Sequence, residues 1–238
     1  MTTHHDTGSG EAFGTVLQWG LCSDVGRVRR INQDAAMANG SIFAVADGMG
    51  GHRGGEVAAD IVAGHLIQSA SVPSVDHLST LVIEANRMIR ARAALDPGLS
   101  GMGTTIVALA VTSIEDGAVR FAAANVGDSR LYRLFDDRFE QVTADHSLVA
   151  ELTRAGQLSE EEAYRHPQRN VLTRALGVDD HVAVDSWVFP GRIGQRFLLC
   201  SDGLINEVAD PLIESTLRQV ADPTSASEHL VDLANRAG

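Results

Sequence analysis

Four aspartates in this chain stand at the ends of expected strands or in the loops just after them, namely Asp34, Asp47, Asp128 and Asp202. A strand fixes the place where such a carboxylate emerges, and a following glycine lets the backbone approach closely and expose a carbonyl oxygen as a further ligand. Oxygen ligands without histidine or thiolate favour Mg²⁺ or Mn²⁺ over zinc or copper. Because Asp-Gly is also ordinary turn chemistry, each aspartate alone leaves a turn and a metal site equally open.

The elements that would position these carboxylates are short apolar strands and two long helices. Residues 56–69 and 75–95 carry apolar side chains at a spacing of three and four, which is typical of amphipathic helices. Strands, two helices, further strands, a polar helical stretch and terminal helices follow one another, an order that favours an α+β fold over a doubly wound sheet. The strands are predicted at residues 16–22, 42–46, 104–112, 119–125, 131–135, 182–188 and 197–200.

Composition limits the class of protein. A chain of 238 residues with 44% hydrophobic residues can bury one sizeable core, so a flexible N-terminus over 1–14 and one domain over 15–238 are expected. A net charge of −12 argues against nucleic acid or an anionic membrane as partner. Cys22 and Cys200 are expected to be free thiols, and no segment approaches the roughly 18 apolar residues of a membrane span. A cytoplasmic monomer is therefore expected.

Five ordered motifs, read together, resemble the protein phosphatase 2C family over nearly the whole chain, and about residues 144–176 resemble the flap of its bacterial branch. The resemblance implies a four-layer α-β-β-α sandwich, with two central antiparallel sheets flanked by helix pairs and metals in a cleft at one sheet end. The motifs are Arg29-Arg30-Ile31-Asn32-Gln33-Asp34, Ala46-Asp47-Gly48-Met49-Gly50-Gly51-His52, Gly101-Met102-Gly103-Thr104-Thr105, Asn125-Val126-Gly127-Asp128-Ser129-Arg130 and Leu199-Cys200-Ser201-Asp202-Gly203-Leu204.

The resemblance also implies a metal site, residue by residue. Asp47 would bridge two ions of Mn²⁺ or Mg²⁺, the carbonyl of Gly48 would bind the second ion, and Asp202 would hold the first. Asp128, together with Asp202, matches the position that holds a third ion on the flap side in bacterial relatives. The cofactors expected are therefore two divalent cations in the core site and a third at Asp128 and Asp202.

The activity that this resemblance implies is hydrolysis of phosphoserine and phosphothreonine in proteins by direct attack of a metal-bridging water. Asp34 would orient that water, and Arg29 would grip the substrate phosphate. An acidic protein needs such a cation, because a phosphomonoester is a dianion and Arg offers a planar bidentate fork. The partners implied are phosphorylated proteins and the Ser/Thr protein kinases that such enzymes oppose. The sequence contains no Cys-x5-Arg, Asp-x-Asp nucleophile, Gly-x-Ser-x-Gly or Walker loop that would indicate another mechanism.

The chain departs from the family pattern at three places. Gln33 stands where many relatives have glutamate, although its amide can still accept a hydrogen bond from a metal-bound water. His52 follows Gly-Gly rather than Asp-Gly, which leaves a general acid and a plain loop histidine both open. The family's Gly-x-Asp-Asn motif and closing strand would begin after Gly238, so the first metal is expected to lack its third carboxylate.

Three functions remain open from the residues. The leading hypothesis is a protein phosphatase, supported by the aspartates and by Arg29. The alternative is a catalytically weak or inactive pseudophosphatase that binds phosphoproteins, supported by Gln33 and the missing carboxylate. A phosphohydrolase of small phosphoesters would share the same chemistry, and a preference for phosphopeptides would distinguish the first from the third.

Overall fold

The computed structural model describes residues 4–12, 14–50, 53–69, 72, 74–115 and 118–238. The strands are β1 His4–Ala12, β2 Thr15–Ser23, β3 Asp34–Ala38, β4 Ile42–Met49, β5 Gly103–Thr104, β6 Ile106–Glu115, β7 Ala118–Val126, β8 Arg130–Phe135, β9 Arg138–Gln141, β10 Asp185–Pro190 and β11 Arg196–Cys200. The helices are α1 Gly54–Ile67, α2 Val75–Leu95, α3 Leu148–Arg154, α4 Glu160–Arg165, α5 Asp202–Ile205, α6 Asp210–Gln219 and α7 Pro223–Ala237, with a 3₁₀ turn at Pro97–Leu99.

Three apolar clusters separate four layers of secondary structure. One cluster, which includes Val62 and Ile89, lies between helices α1 and α2 and the large antiparallel sheet β10-β7-β6-β4-β3. A second, which includes Phe121 and Leu131, lies between that sheet and the small sheet β11-β8-β9. The third, which includes Ile213, packs the small sheet against α5, α6 and α7. The predicted α-β-β-α sandwich is thereby confirmed.

Strand β6 belongs to two of these clusters at once. Ala108 and Ala110 face helices α1 and α2, whereas Val107, Leu109 and Val111 face the small sheet. Side chains along a strand point alternately to its two faces, so a strand between two apolar layers is hydrophobic throughout. This is why the sequence reads here as one continuous apolar run.

The N-terminal segment corrects the expectation of a flexible stretch over 1–14, because β1 pairs with β2 as an antiparallel hairpin. The ring of Trp19 explains the pairing. It contacts Phe43 edge-on, with ring centroids 5.6 Å apart, and it lies so close to Gly8 that an added Cβ would come within 2.3 Å of it. Strand β1 is built from small and polar residues, so it lacks the apolar alternation by which a strand is recognised.

Other boundaries differ in smaller ways. Strands β3 and β9 have no counterpart among the predicted strands, and the strand predicted over 104–112 is divided between β5 and β6. The strand predicted over 182–188 begins at Asp185. The helix predicted over 75–95 is confirmed at both ends, and Ser74 caps it by accepting a hydrogen bond from the backbone N–H of His77.

The segment expected to form a flap lies between β9 and β10 and contains α3 and α4. Its two arms pair with each other, because Ser147 forms a bridge with Leu172. Its last residues pair with the rest of the fold, since Leu176 forms a bridge with Thr104 of β5. The flap therefore leaves and rejoins the fold beside β5.

Two further expectations concern the cysteines and the membrane. Cys22 and Cys200 are both free, as predicted. Burial raises the pKa of the Cys200 thiol to about 12 and that of Cys22 to about 11, so neither is a reactive thiolate at neutral pH. In the part of the chain described above, no helix is long and apolar enough to cross a membrane.

Candidate metal centre

Two of the predicted carboxylates face each other across neighbouring strands. Asp34, the first residue of β3, lies opposite Asp47 of β4 in the antiparallel register. The side chain of Asn32 accepts a hydrogen bond from the Asp34 N–H at 3.1 Å, which fixes the start of β3. Ser201 Oγ donates to Asp34 Oδ2 at 2.6 Å and so brings the end of β11, followed directly by Asp202, to the same place.

The backbone of Asp47 is held on both sides by a pair of threonines. Its N–H donates to Thr105 Oγ1 at 3.0 Å, and its carbonyl accepts from the Thr105 N–H and from Thr104 Oγ1, both at 2.9 Å. Thr105 Oγ1 also shares a hydrogen bond of 2.7 Å with Ser129 Oγ. Both threonines are buried in the described structure, so their hydroxyls serve the packing of the site. The hydroxyl of Thr105 therefore links Asp47 to the turn that carries Asp128.

Asp128 and Asp202 are each positioned by a turn. Asp128 follows Gly127, whose φ of 112° lies in the region that favours glycine. An added Cβ at Gly127 would come within 2.5 Å of Thr105, so this turn packs directly on the threonine that holds Asp47. Asp202 begins α5, and its Oδ2 accepts a hydrogen bond from Asn206 Nδ2 at 3.1 Å.

Burial and neighbouring carboxylates raise the pKa values of Asp34, Asp47 and Asp128. Burial, and then the charges of Asp34 and Asp202, raise the pKa of Asp47 from its ordinary value of 3.8 to about 10. Burial also raises the pKa of Asp34, and the hydrogen bond from Ser201 opposes that rise. Burial, with the charges of Asp202 and Asp145, raises the pKa of Asp128 to about 7. Without a cation, Asp47 therefore holds a proton between its neighbours at neutral pH.

This donor set fits a hard divalent cation. Carboxylates that raise one another's pKa cannot all ionise unless a positive charge joins them. Carboxylate oxygen is the ligand that Mg²⁺ and Mn²⁺ prefer. Among the described residues, no three His, Cys, Asp or Glu side chains surround a common point as a ready ligand set. The raised pKa of Asp47 indicates that these carboxylates repel one another until a cation joins them.

Gly48 adds a second sign of a built site, because the backbone here is packed too tightly for any side chain. An added Cβ would lie 2.2 Å from the carbonyl oxygen of Gly55 on α1 and 2.6 Å from that of Gln33. The Gly48 N–H donates to the same Gln33 carbonyl at 3.1 Å. The side-chain Nε2 of Gln33 is buried without a hydrogen-bond partner in the described structure, which leaves a donor available to a water or ligand beside the carboxylates.

Replacing Gly48 by Ala is expected to destabilise the protein by about 2–3 kcal/mol, because a methyl group there must push β4 away from α1. The matched control is Gly64→Ala, in the interior of α1, where an added Cβ meets nothing within 4 Å. That change is expected to raise stability by up to about 1 kcal/mol, the difference in helix propensity. Urea unfolding of the two variants measures both, and a Gly48→Ala midpoint equal to that of the wild type would contradict the packing argument.

A large cleft opens over the four carboxylates, and Arg29 lies on its wall. The cleft has a volume of about 2090 Å³ and is lined by Asp34, Asp47, Asp128 and Asp202 as well as by Arg29. Arg29 is exposed, and its charge lowers the pKa of Asp34, which places the guanidinium within electrostatic reach of the site. The structure thus brings together the four aspartates and the arginine, Arg29, that the sequence singled out.

His52 lies outside the described residues. The ion pair of Arg130 with Asp145 was not anticipated, although Arg130 belongs to a motif quoted above and Asp145 to the expected flap segment. Arg130 Nη2 donates to Asp145 Oδ2 at 2.7 Å, and Gln141 Nε2 donates to Asp145 Oδ1 at 2.7 Å. Spacing along the chain could not show this pair, because the two residues meet only when β8 and the start of the flap pack together.

An α-β-β-α sandwich with half-buried carboxylates at one end of its large sheet is typical of a class of metal-dependent hydrolases. A family model described as Protein phosphatase 2C matches residues 27–235. The "Serine/threonine phosphatase stp" of Listeria innocua serovar 6a is 37% identical over 233 residues, covering 91% of this chain and 89% of that protein.

Solved structures agree with that match. The crystal structure of the Mycobacterium tuberculosis serine/threonine phosphatase PstP/Ppp has a TM-score of 0.82 and 33% identity, and the match covers 100% of this chain and 94% of the other. The catalytic domain of PstP in complex with two manganese ions has a TM-score of 0.80 and 31% identity, covering 99% of this chain and 93% of that one.

The chain belongs to the protein phosphatase 2C family. This match confirms the predicted family. It also confirms the prediction of a serine/threonine protein phosphatase.

Proposed function

We propose that this chain hydrolyses phosphoserine and phosphothreonine in proteins, with divalent cations held by Asp47, Asp202 and the carbonyl of Gly48. The observation that carries the proposal is the meeting of Asp34, Asp47 and Asp202 in one cleft, where burial and mutual repulsion raise the pKa of Asp47 to about 10. Concentrated carboxylate oxygen is the ligand chemistry of Mn²⁺ and Mg²⁺. The names of the relatives, all phosphatases, favour catalysis over simple phosphoprotein binding.

Two cations in the core site and a third at Asp128 and Asp202 are part of this proposal. Support for the core pair comes from the relative whose structure holds two manganese ions. Support for a third ion comes from electrostatics, because after burial the charge of Asp202 contributes most to raising the pKa of Asp128. The two carboxylates are therefore within electrostatic reach of each other.

The chain's own residues then have separate tasks. When bound, the cations supply water activation and neutralise charge on the phosphoryl oxygens. Asp34 orients the attacking water, since Ser201 Oγ already fixes its Oδ2 at 2.6 Å. Arg29 binds the substrate phosphate from the cleft wall. Gln33 offers its free Nε2–H next to Gly48, and no side chain has to act as nucleophile.

Phosphorylated proteins are the proposed substrates, and Ser/Thr protein kinases are the enzymes that the reaction opposes, because only such kinases make these esters. We place this chemistry in the cytoplasm, where the two free cysteines would stay reduced. The proposed active form is a monomer, since one chain supplies every carboxylate of the cleft.

The test is phosphate release from a phosphothreonine peptide across a Mn²⁺ titration, with chelator and with a matched pair of arginine variants. We expect turnover that depends on Mn²⁺ and stops with chelator. Arg29→Ala is expected to lower kcat/KM by roughly 10- to 150-fold, the value of about 1.5–3 kcal/mol for a hydrogen bond to a charged group. Arg30→Ala should stay within about twofold of the wild type, because Arg30 is exposed and does not line the cleft.

Three outcomes would count against the proposal. Equal losses in the two arginine variants would remove Arg29 from phosphate binding. Efficient hydrolysis of p-nitrophenyl phosphate without hydrolysis of the peptide would indicate a phosphatase of small esters. Tight binding of the phosphopeptide without any phosphate release would indicate a phosphoprotein-binding pseudophosphatase.

A further inference from the structure

His146 is a buried histidine to which the proposed mechanism gives no task. It lies at the start of the flap segment, and it is 1% exposed. Four of its polar groups make contacts with three different parts of the fold. Buried polar groups that are all hydrogen-bonded make the surrounding structure rigid, so His146 fixes the parts of the fold that it contacts.

The first of those contacts hold Gly127, the residue directly before Asp128. The Gly127 N–H donates to His146 Nδ1 at 3.1 Å, and the Gly127 carbonyl accepts from the His146 N–H at 3.0 Å. One residue thus holds both polar groups of a glycine whose φ of 112° few other residues adopt. Because Asp128 comes next along the chain, the same contacts fix where its carboxylate starts.

The remaining contacts reach β10 and the second arm of the flap. Since Nδ1 accepts a hydrogen bond, the ring proton of the neutral imidazole is on Nε2, which donates to Asp185 Oδ2 at 3.1 Å. Asp185 is held in turn by Arg174 Nη1 at 2.6 Å. The His146 carbonyl accepts from the Thr173 N–H at 2.9 Å. His146 therefore joins the Asp128 turn, both arms of the flap and an edge strand of the large sheet.

We propose that His146 is a positioning residue, which holds Gly127 and thereby presents the Asp128 carboxylate to the cation that it shares with Asp202. This inference rests on the proposed function for the identity of that cation site. It assigns the task to one ring atom, Nδ1, whereas Nε2 anchors the ring to Asp185. Partners behind a metal ligand commonly change metal affinity by about 10–100-fold when they are removed.

Two substitutions of His146 test the roles of its two ring nitrogens separately. An asparagine side chain can place an acceptor oxygen near the position of Nδ1, whereas a glutamine side chain can place an N–H near the position of Nε2. Mn²⁺ binding is measured by calorimetry on His146→Gln and His146→Asn, together with kcat and KM for the phosphothreonine peptide. His146→Gln is expected to weaken the site at Asp128 by about tenfold or more, and His146→Asn to rescue most of that affinity.

An Asp128→Asn variant identifies which binding step belongs to that site. Adding His146→Gln to Asp128→Asn should change Mn²⁺ binding little further, because both changes act on the same site. A separate readout uses metal-free wild-type protein, in which ¹⁵N shifts of the imidazole should report the proton on Nε2.

The inference is overturned if both variants lose Mn²⁺ affinity equally, if the losses of the double variant simply add, or if the imidazole proton lies on Nδ1. Urea unfolding of each variant shows whether a loss reflects general instability, and an affinity loss that only follows stability also overturns it. If the wild type binds no Mn²⁺ at all, the proposed function itself fails. If the wild type binds Mn²⁺ and hydrolyses the peptide but the variants do not differ, only the task of His146 fails.

Discussion

Asp47→Asn is expected to lower phosphate release by about 10²–10³-fold, the usual cost of removing one preorganised electrostatic group from an active site. Asp47 has the central place among the four carboxylates. Its pKa is raised by Asp34, Asp202 and Asp128, which shows that it lies within reach of all three. An amide of the same shape keeps the packing but removes the charge that would hold a cation, so Mn²⁺ binding should fall together with turnover.

The loss of turnover in Asp47→Asn should not come from unfolding of the protein. A metal ligand can therefore be distinguished from a residue that only stabilises the fold. In the metal-free protein, Asp47 already holds a proton at neutral pH, so a neutral amide should leave thermal stability equal or higher. The control is Asp232→Asn on the exposed side of α7, where the carboxylate pairs with Arg236. Calorimetry, phosphate release and thermal melts are measured on both variants. A variant at Asp47 that keeps Mn²⁺ affinity and turnover near the wild-type values would remove it from the metal site.

The second large effect concerns pH, because the metal-free protein should lose stability as pH rises through the neutral range. The folded pKa of Asp47 is about 10, against an ordinary value of 3.8, so the folded protein binds a proton that the unfolded chain has released. A group with a raised folded pKa stabilises fully at low pH, and that contribution is lost as pH rises through its folded value. The raised pKa of Asp34 and that of Asp128, about 7, act in the same direction.

The expected slope is roughly 1.4 kcal/mol per pH unit for each such proton. The measurement is urea unfolding in chelator between about pH 7.5 and 8.5, above the ordinary pKa of histidine. That window avoids His146, whose pKa is lowered by burial and whose effect on stability has the opposite sign below it. Asp47→Asn should flatten the profile. Saturating Mn²⁺ should reverse it, since cation ligands must be deprotonated. A flat wild-type profile in chelator would contradict the clustering of carboxylates.

Much of the fold follows from local pattern, and the exceptions have clear physical causes. Helix α2 was predicted at both ends from its apolar spacing, and the cap at Ser74 supports the observed start. Strand β3, Asp34–Ala38, was missed because three of its five residues are alanine, which favours helix in isolation. Its pairing with β4 is a tertiary interaction that overrides that preference. Strand β1 was missed for a similar reason, since its partner contacts involve glycines and the ring of Trp19.

The candidate site divides in the same way. The aspartates and Arg29 could be found because each belongs to a motif of characteristic residues, and the structure brings them into one cleft. The groups that hold them could not be assigned partners from the sequence. Ser201, for example, donates to Asp34, which lies 167 positions away along the chain. The ring of His146 meets Gly127 only because the flap segment returns to the end of β7.

Strand β6 has a consequence for the folding of the whole domain. One of its faces completes the cluster under helices α1 and α2, and the other completes the cluster between the two sheets. Removing either neighbouring layer would expose apolar side chains on a strand whose opposite face is still packed, so neither half has a self-sufficient core. We therefore expect the two halves to form in one cooperative event. Asp47 in β4 and Asp128 just after β7, the two strands that flank β6, would then come together only when that event is complete.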